Sequence, residues 1–165
     1  MTNAILFTES LPWPLHEVSR ALRGLPWTYP SPAGVRPDAA RIEVDLAVPV
    51  GSTGSVAHRA TAELEAFEPG SDVCRLPLRI SASRSFPTFV GAFEASDDGG
   101  DTLLTLTGDY RLPLGLVGQM SGGSGLARAS LRRFFVTAVA AIKGDLRATA
   151  PVRPTPAWHE DLRDA

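Results

Sequence analysis

The sequence predicts an α+β domain in which one antiparallel sheet of six or seven strands curls around a long C-terminal helix, with a shorter N-terminal helix closing one end. Three observations predict it. Leu131, Phe134, Phe135, Ala138, Val139, Ile142 and Leu146 recur at spacings of three and four, the buried stripe of a helix running from Ser124 to Ala148. Upstream, stretches of alternating apolar and polar residues are cut by Gly-, Pro- and Asp-rich turns, the pattern of strands with one covered face. Pairing those stretches as hairpins brings all their apolar sides together in a single register.

Ala4 to Thr8 is a short apolar run suited to an edge strand. Pro12 and Pro14 fit a helix entrance, because proline at the first helical position gives up no hydrogen bond. Leu15, Val18, Leu22 and Leu25 give that helix a buried side, Gly24 marks its end, and Trp13 and Trp27 flank it. From Pro26 to Asp38 four prolines and one glycine leave room only for turns.

Five strand-like segments follow. Ile42, Val44, Leu46 and Val48 alternate with Arg41, Glu43 and Asp45, and after Gly51-Ser52-Thr53-Gly54 a second segment runs from Val56 to Phe67. Pro69-Gly70 turns the chain into Cys74, Leu76, Leu78 and Ile80, with Arg75 and Arg79 on the other side. Arg84 to Pro87 turns it again into Phe89, Gly91, Phe93 and Ala95. Asp97-Asp98-Gly99-Gly100-Asp101 is a strong hairpin signal before the last strand.

In the trial register Ile42, Val44 and Leu46 lie beside Leu64, Ala62 and Ala60, and these beside Leu76, Leu78 and Ile80. Phe89, Gly91 and Phe93 meet Tyr110, Gly108 and Leu106. Gly91 beside Gly108 strips side chains from one spot, where a sheet can bend sharply around a helix. Ala60, Ala62 and Ala66 put small side chains on the inner face, where a packed sandwich would use Val or Leu. Unless the helix comes very close, this leaves volume for a cavity; tight packing by Phe134, Phe135 and the tryptophans is the alternative.

The totals bound the function. One domain, 1–148, precedes a Pro-rich tail, 149–165, expected to be extended or mobile, with Trp158 free to dock on the body or a partner. The net charge of −2 gives no electrostatic case for nucleic acid or an anionic membrane. A lone cysteine, Cys74, excludes an internal disulfide and suits a reducing compartment. With no leader pattern and no integral membrane segment the expectation is a cytoplasmic protein, and the heavy use of Ala, Arg, Gly and Pro suggests a GC-rich bacterial genome.

Candidate chemistry is sparse. His16 and His159 fall at solvated positions, while alternation puts His58 on the inner face near the Val48 end of its strand. There it is either a general base or ligand-orienting donor, or a rim histidine facing water. Tyr110 is the polar residue best placed inside, its hydroxyl serving a ligand, a water or the turn at Pro113. Cys74 points inward as packing, and Arg79 and Arg84 belong to the outer face or a turn. No His, Cys or carboxylate group has metal-ligand spacing, and no cofactor is implied. Gly51 to Ser55 lacks the lysine of a P-loop, and Asp97, Asp98 and Asp101 miss the spacing of a calcium loop. Gly122 to Gly125 opens a helix and reads as a turn, or as a seat for an anion at the helix N-terminus.

The last strand ends in Gly108-Asp109-Tyr110-Arg111-Leu112-Pro113-Leu114-Gly115-Leu116-Val117-Gly118, and Ser121 to Gly125, with Ser124 as N-cap, leads into the long helix. This arrangement resembles bacterial members of the START-like, helix-grip (SRPBCC) superfamily, which includes lipid-transfer domains, plant allergens and polyketide aromatase/cyclases. Leu112 stands where a second proline is expected, and an acidic residue near the helix start is missing. The resemblance implies reversible binding of a small hydrophobic or amphipathic ligand, lipid-like or polyketide-like, between sheet and helix. Phe89, Phe93, Leu106, Tyr110, Phe134 and Ala138 would line the site, and the Pro26–Asp38 stretch would lie near its mouth. One alternative is a cyclase or hydratase in which His58 or Tyr110 moves a proton. Another is an interaction module with a vestigial cavity, contacting its partner through Trp158 or Trp27. Monomer and dimer both stay open.

Overall fold

The computed structural model describes residues 2–28, 40–50, 54–81, 88–111 and 123–149, and the side chains of 3–24, 59–81, 88–111, 125 and 127–149. The tail with Trp158 and His159, Arg84, the stretches 29–39 and 112–122, and the side chains of Trp27, His58 and Ser124 lie outside these. In chain order the elements are β1 (Thr2–Leu11), α1 (Leu15–Thr28), β2 (Ala40–Val50), β3 (Gly54–Leu64), β4 (Val73–Ser81), β5 (Thr88–Asp98), β6 (Asp101–Arg111) and α2 (Gly123–Thr149).

The six strands form one antiparallel sheet in the order β1-β6-β5-β4-β3-β2. Its buried face carries Ala60, Ala62 and Leu64 of β3, Leu76, Leu78 and Ile80 of β4, Phe89 and Phe93 of β5, and Leu104 and Leu106 of β6. Opposite them α2 presents Leu131, Phe134, Phe135, Ala138, Val139, Ile142 and Leu146, all buried, as their spacing predicts. At one end α1 seats Val18, Ala21 and Leu22 in the same core.

The curvature of the sheet shows in which strands meet the helix. Close backbone approaches of α2 to the sheet are to β2 and β1, the two edges, and the middle strands stand farther off. A sheet whose opposite edges both reach one helix has to bend around it.

The β5–β6 hairpin has the expected register, with Phe89, Gly91 and Phe93 opposite Tyr110, Gly108 and Leu106. Its turn is the two residues Gly99 and Gly100, whose φ values of 67° and 102° give the mirror-image turn that matches strand twist. Two other pairings slip by two residues. Ile42 faces Ala62 instead of Leu64, and Leu64 faces Leu78 instead of Leu76. A shift of two leaves every side chain on its face, so matching apolar faces does not detect it.

Four boundaries also differ from expectation. β1 extends beyond the apolar run Ala4 to Thr8 to cover Thr2–Leu11, because its ladder with β6 uses backbone groups and accepts the polar flanks. β3 ends at Leu64 instead of Phe67. Beyond it Glu65 N–H donates to the Pro77 carbonyl and Glu68 and Arg75 exchange both bonds, so three steps on one side match two on the other. This bulge leaves Ala66 exposed instead of inward and lets Phe67 pack on the core. Helix α1 runs through Gly24 to Thr28, since Gly24 is not among the positive-φ glycines that would end it. Helix α2 begins at Gly123, so the expected cap Ser124 falls inside its first turn.

Candidate functional site

The six residues expected to line a site come from three elements and meet in one layer. Phe89 and Phe93 stand on β5, Leu106 and Tyr110 on β6, Phe134 and Ala138 on α2, and all six are buried. Alternation on the strands and the three-four spacing on the helix place them there. The Phe93 ring lies 5.9 Å from Phe134 and 6.3 Å from Phe135, and Phe135 stacks on Phe7 of β1 at 6.0 Å. An aromatic row therefore crosses the interior from the β1 edge to β5. Phe7 and Phe135 were not in the expected lining. Each lies in a predicted element, but no sequence spacing relates the two.

Exposure distinguishes the six. Phe93, Leu106 and Ala138 have no accessible surface, whereas Tyr110 keeps 4% and Phe134 6%. The interior is closed around the first three. Tyr110 lies at the end of the sheet away from α1.

The α1 end is closed by named contacts. The buried Thr102 hydroxyl donates to the Trp13 carbonyl at 2.8 Å, holding the chain between β1 and α1. Val18 and Glu17 donate their N–H groups to the Pro14 carbonyl, so Pro14 stands immediately before α1, one position ahead of the first helical place expected for it. Arg20 donates to the Thr149 hydroxyl at 3.1 Å, tying α1 to the last turn of α2. Cys74 is buried as packing. The Ser19 hydroxyl donates to its sulfur at 2.6 Å, and its thiol lies 3.5 Å from the Gly70 carbonyl.

His58 and Tyr110 are not neighbours in the sheet. The residue of β3 in the cross-strand row of Tyr110 is Ala62, reached through Phe89 and Ile80. His58 lies four residues beyond it and three strands over, about 13 Å along and about 14 Å across the sheet surface. His16 is exposed, and so is Arg79. Among the described residues no group of three or more His, Cys, Asp or Glu is arranged to hold a metal, and no helix is long and apolar enough to cross a membrane.

A sheet bent around one long helix, with a second helix at its end, can be compared directly with solved structures. The chain matches the Zhui aromatase/cyclase from Streptomyces sp. R1128 with a TM-score of 0.58 at 18% identity, over 89% of this chain and 94% of that one. This chain has the START-like, helix-grip fold. The same helix-grip arrangement matches the structure of Ara h 8.0201 with a TM-score of 0.54 at 10% identity, over 90% of this chain and 99% of that one. It also matches the di-domain aromatase/cyclase BexL from the BE-7585A biosynthetic pathway, with a TM-score of 0.58 at 14% identity, over 93% of this chain and 51% of that one. No family model matches this helix-grip sequence, and no curated protein is significantly similar to it.

Proposed function

We propose that this helix-grip chain reversibly binds a small hydrophobic or amphipathic molecule between the sheet and α2, at the Phe89–Tyr110 end. One observation carries the reading. Helix α2 comes closest to the sheet at the edges β1 and β2, while the inner face of β3, inside those edges, carries Ala60 and Ala62. Small side chains there are not needed to admit the helix backbone, and they leave the layer to be filled by the rings of Phe89, Phe93 and Phe134. A ligand entering beside Tyr110 displaces Phe134, the most exposed of the six lining residues. Each 100 Å² of apolar surface it buries contributes about 2.5 kcal/mol, and the Tyr110 hydroxyl orients its polar end. Two of the structures it resembles are named aromatase/cyclases, which supports a cavity role on this fold.

Native mass spectrometry of the protein purified from its own host tests this. A copurified small mass, lost when Ala138→Trp fills the layer in a chain that still melts cooperatively, is the expected result. A bare mass, together with no displacement of an apolar dye by any lipid or aromatic polyketide, would overturn it.

A second reading is a cyclase or hydratase in which Tyr110 or His58 moves a proton, and the aromatase/cyclase likenesses favour it. With the two residues far apart along the sheet, one of them acts and the other does not. Turnover of a poly-β-ketone substrate that survives His58→Ala and falls with Tyr110→Phe selects the tyrosine. No turnover at all removes the enzyme.

A further inference from the structure

A separate groove of about 510 Å³ lies outside the core, between β1 and the N-terminal half of α2. The stacked rings of Phe7 and Phe135 line it. So do Leu6 and Val136, which are 61% and 58% exposed although both are large and apolar. Arg128 and Arg132, one helical turn apart on α2, line the same groove. The Arg128 guanidinium stands 5.8 Å from the centre of the Phe7 ring.

The charge of this groove is unbalanced. Among the described residues its one carboxylate, Glu9, is taken by Lys143 at 2.7 Å. Among the described residues neither Arg128 nor Arg132 has a carboxylate partner. Two cations therefore stand beside an exposed apolar surface, and an occupant complementary to both is an anion with an apolar body. A second copy of this chain seated on a two-fold axis would bring the same two arginines against these, which disfavours it.

We propose that the groove binds an amphipathic carboxylate, a free fatty acid. Its head pairs with Arg128 and Arg132, and its chain lies over Phe7, Phe135 and Val136, with Leu6 at the rim of the β1 edge. The groove adjoins the proposed interior site at Phe135, whose ring also meets Phe93, but its head-group pair Arg128 and Arg132 belongs to the groove alone.

Titration of the full chain with sodium decanoate, followed by amide NMR at low salt and repeated with decanol, tests it. Decanoate is expected to shift the amides of residues 6–9 and 125–136. The Arg128→Gln/Arg132→Gln double variant should bind it about tenfold more weakly, with Arg128→Lys/Arg132→Lys restoring most of the loss. Decanol should not distinguish wild type from variant. Shifts confined to the strand ends around Phe89 and Tyr110 would overturn the groove while leaving the interior site standing. Unchanged affinity in the glutamine variant would also overturn it, as would groove signals that vary only with protein concentration or respond only to lipid vesicles.

Discussion

Gly91 faces Gly108 across the β5–β6 ladder, and the ring of Phe89 fills the space their missing side chains leave. A Cβ built on Gly91 would stand 2.6 Å from Phe89 Cζ, and one on Gly108 would stand 2.8 Å from it. Backbone atoms crowd the same points, with Gly108 Cα 2.9 Å from the Gly91 position. The two glycines bring adjacent strands close together and give an aromatic ring a place to lie flat on the sheet.

Gly91→Ala is accordingly expected to destabilise the chain by about 2–3 kcal/mol, since the ring and the facing backbone both have to move. Urea denaturation measures it. In a Phe89→Ala background, itself destabilised, Gly91→Ala should cost less than in the wild type, because the ring is one of the obstacles beside the facing backbone. Strict additivity of the two changes would show that the ring is not involved.

Phe93 touches both Phe134 and Phe135, so it joins the sheet to two positions of α2. Phe93→Ala should cost about 3–5 kcal/mol, the largest loss among the residues of the aromatic row. A thermal melt shifted by less than the Phe7→Ala shift would contradict this ordering.

Thr102 is fully buried and its hydroxyl has a short bond to the Trp13 carbonyl. Thr102→Val keeps the volume and leaves that carbonyl without its donor, at a cost of about 1–2 kcal/mol. Hydrogen exchange should report the loss as faster opening of the first turn of α1, with β4 and β5 unchanged.

The Lys143–Glu9 pair ties α2 to an edge strand at 2.7 Å, with side chains 27% and 42% exposed. Partial exposure screens it, so Glu9→Gln should cost no more than about 1 kcal/mol, and the difference from wild type should shrink in 1 M salt. A double-mutant cycle with Lys143→Met gives the pair energy directly.

Which side chains of β5, β6 and α2 turn inward was legible before any tertiary information. Alternation along β5 and β6 and the three-four spacing on α2 assign a face to each side chain, and all six expected lining residues lie buried on the facing surfaces. The Gly91–Gly108 pairing followed from the same rule, because the two-residue turn at Gly99-Gly100 leaves the hairpin a single register. Where connections are longer, as from β3 to β4, a slip of two residues changes no side chain's face and the pattern carries no information about it. The same limit hid the bulge after Leu64 and with it the exposure of Ala66.

The sequence by itself determined which residues turn inward and that one long helix must cover them, because those properties repeat locally with a period of two or 3.6 residues. Only the tertiary structure decided how the layers touch: that Phe93 reaches Phe134 and Phe135, that Arg20 meets Thr149, and that Arg128 and Arg132 stand beside Leu6. Those partners lie far apart in the chain. Their meeting depends on how strongly the sheet bends and how far along it the helix lies, and no local pattern encodes either.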